Sequence, residues 1–338
     1  MSKQVIIIGG GIAGMKTAST LESMGVSTLV IEREKNIGGK LNNWDRLFPT
    51  FTPASEVLDR LVDEYKKSGS RLMCSTNVEH IDAQGKGVTL SDGQKLTADA
   101  IVVASGFELF DATIKEEYGY GIYDNVVTSV DLEQMFKQGK VLTKQGEAPK
   151  RVAILHCVGS RDEKVNQNHC SRVCCVTGVK QAIEIKQLYP DCEVYNLYMD
   201  MRMFGPGYEE LYRESQQKYG INHIRGRISE AAQTIDGRVK IKAEDTLVGR
   251  PLRMTVDMLV LMVGFCAGRS NRVFSADCGL DLRLSNFMKP RNPFDLSNIT
   301  ACDGVFLVGT VKAPKNISET LHDATSCSHS VLDYLKNR

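Results

Sequence analysis

At 338 residues the chain has length for about two domains, on a scale of roughly 150 residues each. A hydrophobic fraction of 42% and a charged fraction of 25% are ordinary for a globular protein, and a net charge of +1 argues against nucleic acid or an anionic membrane as partner. The longest apolar runs, such as Met258–Val263, fall far short of the roughly 18 residues a membrane span needs, and no A-x-A-like cleavage site follows the apolar N-terminus. Neither a transmembrane segment nor a signal peptide is therefore expected.

Residues 4–8 (QVIII) read as a continuously apolar strand, the pattern of a parallel strand covered on both faces. Gly9-Gly10-Gly11-Ile12-Ala13-Gly14 follows, then a helix from about Met15 to Met24, a second strand over Thr28–Ile31, and Glu32. Strand, G-x-G-x-x-G, helix, strand and acid in that order make a dinucleotide site. Gly9 allows the tight turn, Gly11 admits a pyrophosphate, Gly14 lets helix pack on strand, and Glu32 can accept ribose hydroxyls. Further along come Gly38-Gly39-Lys40, a strand containing Val78, a hairpin turning at Asp92-Gly93, and a strand ending "IVVASG" through Ala104, Ser105 and Gly106. A buried strand near the C-terminus, Asp303–Thr310 (DGVFLVGT), ends in Gly-Thr.

This series resembles the two-dinucleotide-domain flavoproteins of the thioredoxin reductase and glutathione reductase class. The resemblance implies an α/β protein with two Rossmann-like domains, the second inserted in the first, and FAD at the first site. It implies FAD contacts from Gly9, Gly11, Ile12, Ala13, Gly14, Glu32, Arg33, Gly39, Lys40, Leu41, Val78, Ala104, Ser105, Gly106, Gly309, Thr310 and Ile317. Thr310 stands where the class usually carries Asp. A homodimer is likewise expected from the class alone.

Strand-like segments resume at Arg151–Leu155, Glu193–Leu197, Val239–Ala243 and Met258–Val263, with helical stretches over Gly178–Leu188 and Glu209–Tyr219. The expected domains are 1–120 plus 283–338 for FAD and 149–282 for the insertion, with 121–148 connecting them. In the parent class the inserted domain opens with its own glycine motif for NAD(P)H. Here "HCVGSRDE" follows the strand with Gly159 alone, and four cysteines crowd the segment: Cys157, Cys170, Cys174 and Cys175, spaced C-x12-C-x3-C-C.

Ten cysteines in an unexported chain point to reduced thiols and a cytoplasmic setting; the other six read as small buried hydrophobes. For the clustered four, the residues leave several chemistries open. Zinc prefers paired C-x2–4-C knuckles, a redox pair prefers C-x-x-C, and coincidental burial explains nothing of the crowding. A 4Fe-4S cube, with irons at separate corners, lets the adjacent Cys174 and Cys175 reach different irons.

With "DMRMFGPGYEELYRES" (Asp200–Ser215) added, the pattern resembles the A-type subunits of the heterodisulfide reductase family over nearly the whole chain. That resemblance implies a 4Fe-4S cluster on Cys157, Cys170, Cys174 and Cys175. It also implies a flavin-proximal role for Lys180, five residues past the last ligand, against the plainer reading of a solvated helix residue. Long methanogen members carry ferredoxin-type C-x2-C-x2-C-x3-C modules; none occurs here, and "NNWDRLFPTFTPASEVLDRL" has no cysteine, so no extended electron wire is expected and electron bifurcation is left open. The short form resembles the A-type component of the sulfur-oxidising heterodisulfide-reductase-like complex, with B- and C-type subunits and a lipoate-binding protein as implied partners. Alternatives are the A-type component of a quinone-interacting membrane-associated oxidoreductase, a stand-alone NAD(P)H-dependent disulfide or ferredoxin reductase, and a cluster-binding assembly or sensor module.

Overall fold

A computed structural model describes residues 3–84, 86–294 and 297–338. The chain forms two compact units: Met1–Asn42, Ala54–Glu108 and Cys266–Arg338 make the first, and Asn43–Pro53 with Leu109–Phe265 the second. These bounds differ from the expected 120, 149 and 283, for two packing reasons. The stretch expected as a connector, 121–148, supplies a strand, Val126–Thr128, that pairs in parallel with Met258–Val263 of the second sheet. Conversely, Phe274 and Cys278 of the 266–282 segment are buried in the first unit's core with Ile6, Ile8 and Val103.

The first unit is built on a five-stranded parallel sheet with the order Val305–Leu307, Ala100–Val103, β1 (Gln4–Ile8), β2 (Ser27–Ile31), Arg71–Met73. Val5, Ile6 and Ile7 have no exposed surface, as the unbroken apolar run requires of a central parallel strand. Helix α1 spans Ile12–Ser23, three residues earlier than expected, because Ile12–Gly14 of the glycine motif are already its first turn. The terminal helix Ile317–Lys336 starts with a capping box, Asn316 Oδ1 accepting from Glu319 N–H at 2.8 Å and Glu319 Oε2 from Asn316 N–H at 3.0 Å. The Asp92-Gly93 hairpin forms as expected between Gly87–Leu90 and Lys95–Thr97.

The second unit repeats the plan. Its parallel sheet runs Val126–Thr128, Met258–Val263, Arg151–Val158, Glu193–Tyr198, Asn222–Arg225. In both sheets the strand that precedes the diagnostic loop is third in order and its successor in sequence lies beside it. Val239–Asp245 joins a separate antiparallel meander between Ile228–Gln233 and Arg250–Val256. The period-2 pattern dictates this, with Val239, Ile241 and Ala243 buried and Lys240 exposed. Two of the expected helices have bounds shifted from the sequence pattern, Cys174–Leu188 and Tyr208–Gln217.

Candidate functional site

In the first unit the nucleotide motif assembles at the carboxyl edge of the sheet. Gly9 leaves β1 with φ +112°, and a Cβ there would lie 2.5 Å from Ala104 O. A Cβ on Gly14 would sit 1.9 Å from Gly9 O, so the first turn of α1 rests directly on the end of β1. At Gly11, by contrast, an added Cβ would meet only Gly39 Cα, at 3.9 Å. The backbone opens there, and among the described residues no side chain caps the N-terminus of α1. The first N–H groups of a helix have no intrahelical partner and carry a positive partial charge, a setting for phosphate.

Glu32 holds this loop from the end of β2. Its Oε2 accepts from Gly10 N–H at 2.6 Å and its Oε1 from Glu34 N–H at 2.8 Å. Gly38 N–H donates to Gly10 O at 2.8 Å and sets the Gly38-Gly39-Lys40 turn against the motif, with Leu41 buried behind it. Gly309 lies against Ala13, and the nearest atom to a Cβ on Gly106 is Thr310 Oγ1, at 3.8 Å. Ser105 Oγ is buried without a hydrogen-bond partner among the described residues. Val78 is buried at the start of its strand, while Arg33 is exposed and pairs with Glu34 at 3.4 Å. Ile317 opens the terminal helix, half-buried.

The structure thus brings together Gly9, Gly11, Ile12, Ala13, Gly14, Glu32, Gly39, Ala104, Ser105, Gly106, Gly309 and Thr310. The open backbone at Gly11, the uncapped helix and the orphaned Ser105 hydroxyl fit a dinucleotide. Beside Thr310, Asp323 braces the loop: it accepts from Gly309 N–H at 2.7 Å and from Lys312 Nζ at 2.7 Å.

In the second unit the four cysteines lie at the matching junction. Cys157 lies near the end of the Arg151–Val158 strand, where the register against Met258–Val263 shifts between Leu155 and Val158, and its φ is +61°. Such an irregularity re-aims a side chain. Cys174 and Cys175 are the first residues of the following helix, and Cys170 lies in the intervening loop. Of the eight non-glycine residues with positive φ among those described, four (Cys157, Arg161, Asn166 and Arg172) fall in this one segment. Backbone strain concentrated in this way marks a segment held for a purpose.

Cys174 shares hydrogen bonds with both Cys157 and Cys175, which lowers the pKa of the latter two and raises its own. His156 assists at Cys175, as does a backbone N–H from Arg202. Cys175 Sγ donates to Asp200 O at 3.6 Å, and Cys170 Sγ accepts from Arg172 N–H at 3.3 Å. His156 is buried, with Nε2 3.2 Å from Asn196 Oδ1. Burial works to lower its pKa, but the Cys175 contact and the neighbouring thiols outweigh that and raise it. Among the described residues no three Cys, His, Asp or Glu side chains are grouped around one single-ion position. All ten cysteines are free thiols; Cys278 and Cys302, expected to be scattered, are in hydrogen-bonding reach of each other.

The loop is clamped by residues that carry no motif. Asp162 Oδ2 takes Lys115 Nζ at 2.8 Å and Arg227 Nη2 at 2.7 Å, with the carboxylate buried. Its burial raises the pKa, but the two cations outweigh that and hold it below the usual range. Ser160 and Ser171 hydroxyls bond across the loop base, and Ser171 Oγ also accepts from Phe265 N–H at 2.8 Å.

Lys180 is not the solvated residue of the plain reading. It is 1% exposed, and its Nζ reaches Glu133 Oε1 at 2.6 Å, Glu184 Oε2 at 2.9 Å and Arg46 O at 3.0 Å, all within the second unit. Gln181 Nε2 also donates to Glu133 Oε1, at 2.6 Å. Burial pushes Glu184 up to about 7 against the pull of Lys180. Sequence reasoning missed Glu133 and Glu184. The one available signal was the Lys180/Glu184 i,i+4 pair on an otherwise apolar helix face.

Two such units, one with a glycine cradle and one with a thiol-bearing loop, define a redox protein of the dinucleotide-binding flavoprotein type. Residues 3–327 match the family model for pyridine nucleotide-disulphide oxidoreductases, and the chain belongs to that family. It is 31% identical to the A-type iron-sulfur subunit of CoB–CoM heterodisulfide reductase from Methanocaldococcus jannaschii, over 98% of this chain and 64% of that one. Against the A-type subunit of the H(2):CoB-CoM heterodisulfide,ferredoxin reductase of Methanothermobacter thermautotrophicus the identity is 30%, over 96% of this chain and 63% of that one. The chain therefore spans less than two thirds of these relatives. Thioredoxin reductase of Lactococcus lactis shares the fold over the full length of both chains, with a TM-score of 0.71 at 17% identity, and that of T. acidophilum with a TM-score of 0.69 at 18%. No helix among the described residues is long and apolar enough to cross a membrane.

Proposed function

We propose that the chain is an FAD- and 4Fe-4S-containing electron-transfer component of a cytoplasmic heterodisulfide-reductase-like complex that oxidises thiol or sulfane sulfur, the substrate being carried on lipoate. The observation that carries this reading is the thiol loop at the strand-to-helix junction of the second unit, the position at which the parent class carries its nicotinamide glycines. Likeness to the A-type subunits of heterodisulfide reductases supports B- and C-type partner subunits; the homodimer is inherited from the flavoprotein class. When bound, FAD supplies two-electron chemistry and the cluster one-electron chemistry.

The protein's own residues have definite tasks in this scheme. Gly9, Gly11 and Gly14 admit and bind the pyrophosphate, Glu32 orients the loop and the ribose, and Ser105, Gly309 and Thr310 line the flavin side. Cys157, Cys170, Cys174 and Cys175 ligate the cluster, with the helix N-terminus favouring thiolates. Lys180 keeps a positive charge in the ion triad on the helix that bears two ligands. Protein purified without oxygen should contain FAD and about four irons per chain, and Cys175→Ser should lose most of the iron while keeping the flavin. Flavin without iron in the unaltered protein would overturn the reading. Bleaching by NADPH alone would instead favour a stand-alone pyridine-nucleotide-dependent reductase.

A further inference from the structure

Arg161 occupies the thiol loop, with φ +55°, and its side chain is used in an unusual way. Its backbone N–H donates to His169 O at 2.9 Å, beside Cys170, and the Ser160 N–H before it donates to Cys157 O at 3.3 Å. The guanidinium is gripped at one end only: Nη2 meets Asp200 Oδ2 at 2.6 Å. Asp200 is the residue whose backbone oxygen accepts from Cys175 Sγ. The other end, Nη1, is buried and has no hydrogen-bond partner among the described residues. A buried guanidinium N–H left without a partner keeps its full desolvation penalty. Burial works to lower the guanidinium pKa, but Asp200 together with the Cys157 and Cys170 thiols outweighs that and raises it.

We propose that Arg161 is a potential-setting residue: its guanidinium, fixed through Nη2 by Asp200, holds a positive charge beside the thiolate-ligated cluster. The inference rests on the cluster reading above. Reduction adds one negative charge to the centre, so a fixed neighbouring cation favours the reduced form and raises the potential. Asp200 opposes this partially by its own negative charge, while its side chain keeps the guanidinium aimed. Arg225 Nη2 lies 3.5 Å from Asp200 Oδ1 and shares that carboxylate. A residue that merely braced the loop would change cluster content; a residue that sets the potential changes the redox midpoint at constant content.

The test is an EPR-monitored redox titration of the anaerobic full-length protein, with iron and flavin assays on each sample. Arg161→Gln should keep its iron and shift the reduced-to-oxidised ratio at fixed potential at least tenfold toward oxidised, a midpoint lowered by about 59 mV for a one-electron centre. Arg161→Lys, which keeps the charge, should move it by less than half as much. Asp200→Asn leaves a side-chain oxygen to accept from Arg161 Nη2 and removes the opposing charge, so its midpoint should rise. This opposite sign keeps the proposal testable if Arg161→Gln loses iron. A wild-type midpoint in iron-replete Arg161→Gln, or an unchanged or lowered one in Asp200→Asn, overturns the proposal while leaving the cluster intact. Absence of iron from the unaltered protein overturns the cluster reading, and the proposal with it.

Discussion

Replacing Lys180 by methionine removes the cation from a buried triad while keeping the length of the side chain. Glu133 and Glu184 are then left facing each other with no opposing charge. Breaking a buried pair by removing one partner costs about 3–5 kcal/mol, because the remaining charge is uncompensated. The loss depends on pH, with a sign fixed by Glu184. Its folded pKa, about 7, lies above its ordinary value of 4.5, so the folded chain holds a proton that the unfolded chain releases. Stability from this group is full below about 4.5, falls by about 3 kcal/mol as pH rises to about 7, and is flat beyond. Without Lys180, whose charge lowers that pKa, the falling limb extends above pH 7. The cost of Lys180→Met should therefore be several kcal/mol at pH 8 and clearly smaller at pH 6, where Glu184 is protonated. Urea denaturation followed by far-UV circular dichroism, with the m-value held as a check on compactness, reads both quantities. Adding Glu133→Gln and Glu184→Gln to Lys180→Met should recover most of the loss, since none of the three positions then carries a charge. A loss below about 1 kcal/mol, or one equal at pH 6 and pH 8, would refute this reasoning.

Gly14→Ala drives a Cβ to 1.9 Å from Gly9 O and must push α1 off β1; flavin per purified chain should fall at least tenfold, and full flavin occupancy would contradict the proposed cradle. Glu32→Gln presents an amide N–H to Gly10 or Glu34, each of which donates to this side chain, and should cost about 1–3 kcal/mol together with a weaker flavin, measured by fluorescence on dilution. Asp323→Asn takes the counter-charge from Lys312, whose side chain is 4% exposed, and should lower the midpoint of thermal unfolding by several degrees, with no change if the pair is dispensable.

The glycine motif, the succession of strand, helix, strand and acid around it, and the crowding of four cysteines were legible because each is a local pattern in the sequence. The β1 run could be nothing but a doubly covered strand, and Gly9, Gly11 and Gly14 each answer one steric demand. Residues 121–148 were harder because a three-residue strand, Val126–Thr128, has no period long enough to detect, and its pairing with Met258–Val263 spans more than 130 residues of sequence. The ion triad at Lys180 was illegible for a related reason. Glu133 lies 47 residues before Lys180 on a helix that reads as amphipathic, and nothing local distinguishes its buried carboxylate from a solvated one.

The two units solve one electrostatic problem in two ways. In each, the third strand of a five-stranded parallel sheet delivers the chain to the N-terminus of a helix whose first N–H groups lack partners. In the first unit the crossing takes three residues, Gly9–Gly11, and the absence of side chains leaves the helix end open to a diphosphate. In the second, fifteen residues intervene between Val158 and Cys174, and they need their own scaffold. Asp162 with Lys115 and Arg227, the Ser160–Ser171 bond and four left-handed residues supply it. Shortening that loop to a glycine turn would restore the shape of a phosphate cradle but remove Cys170 and the clamp together. Thiolates and phosphates are both anions, so a helix N-terminus serves either; the length and bracing of the loop decide which one it receives.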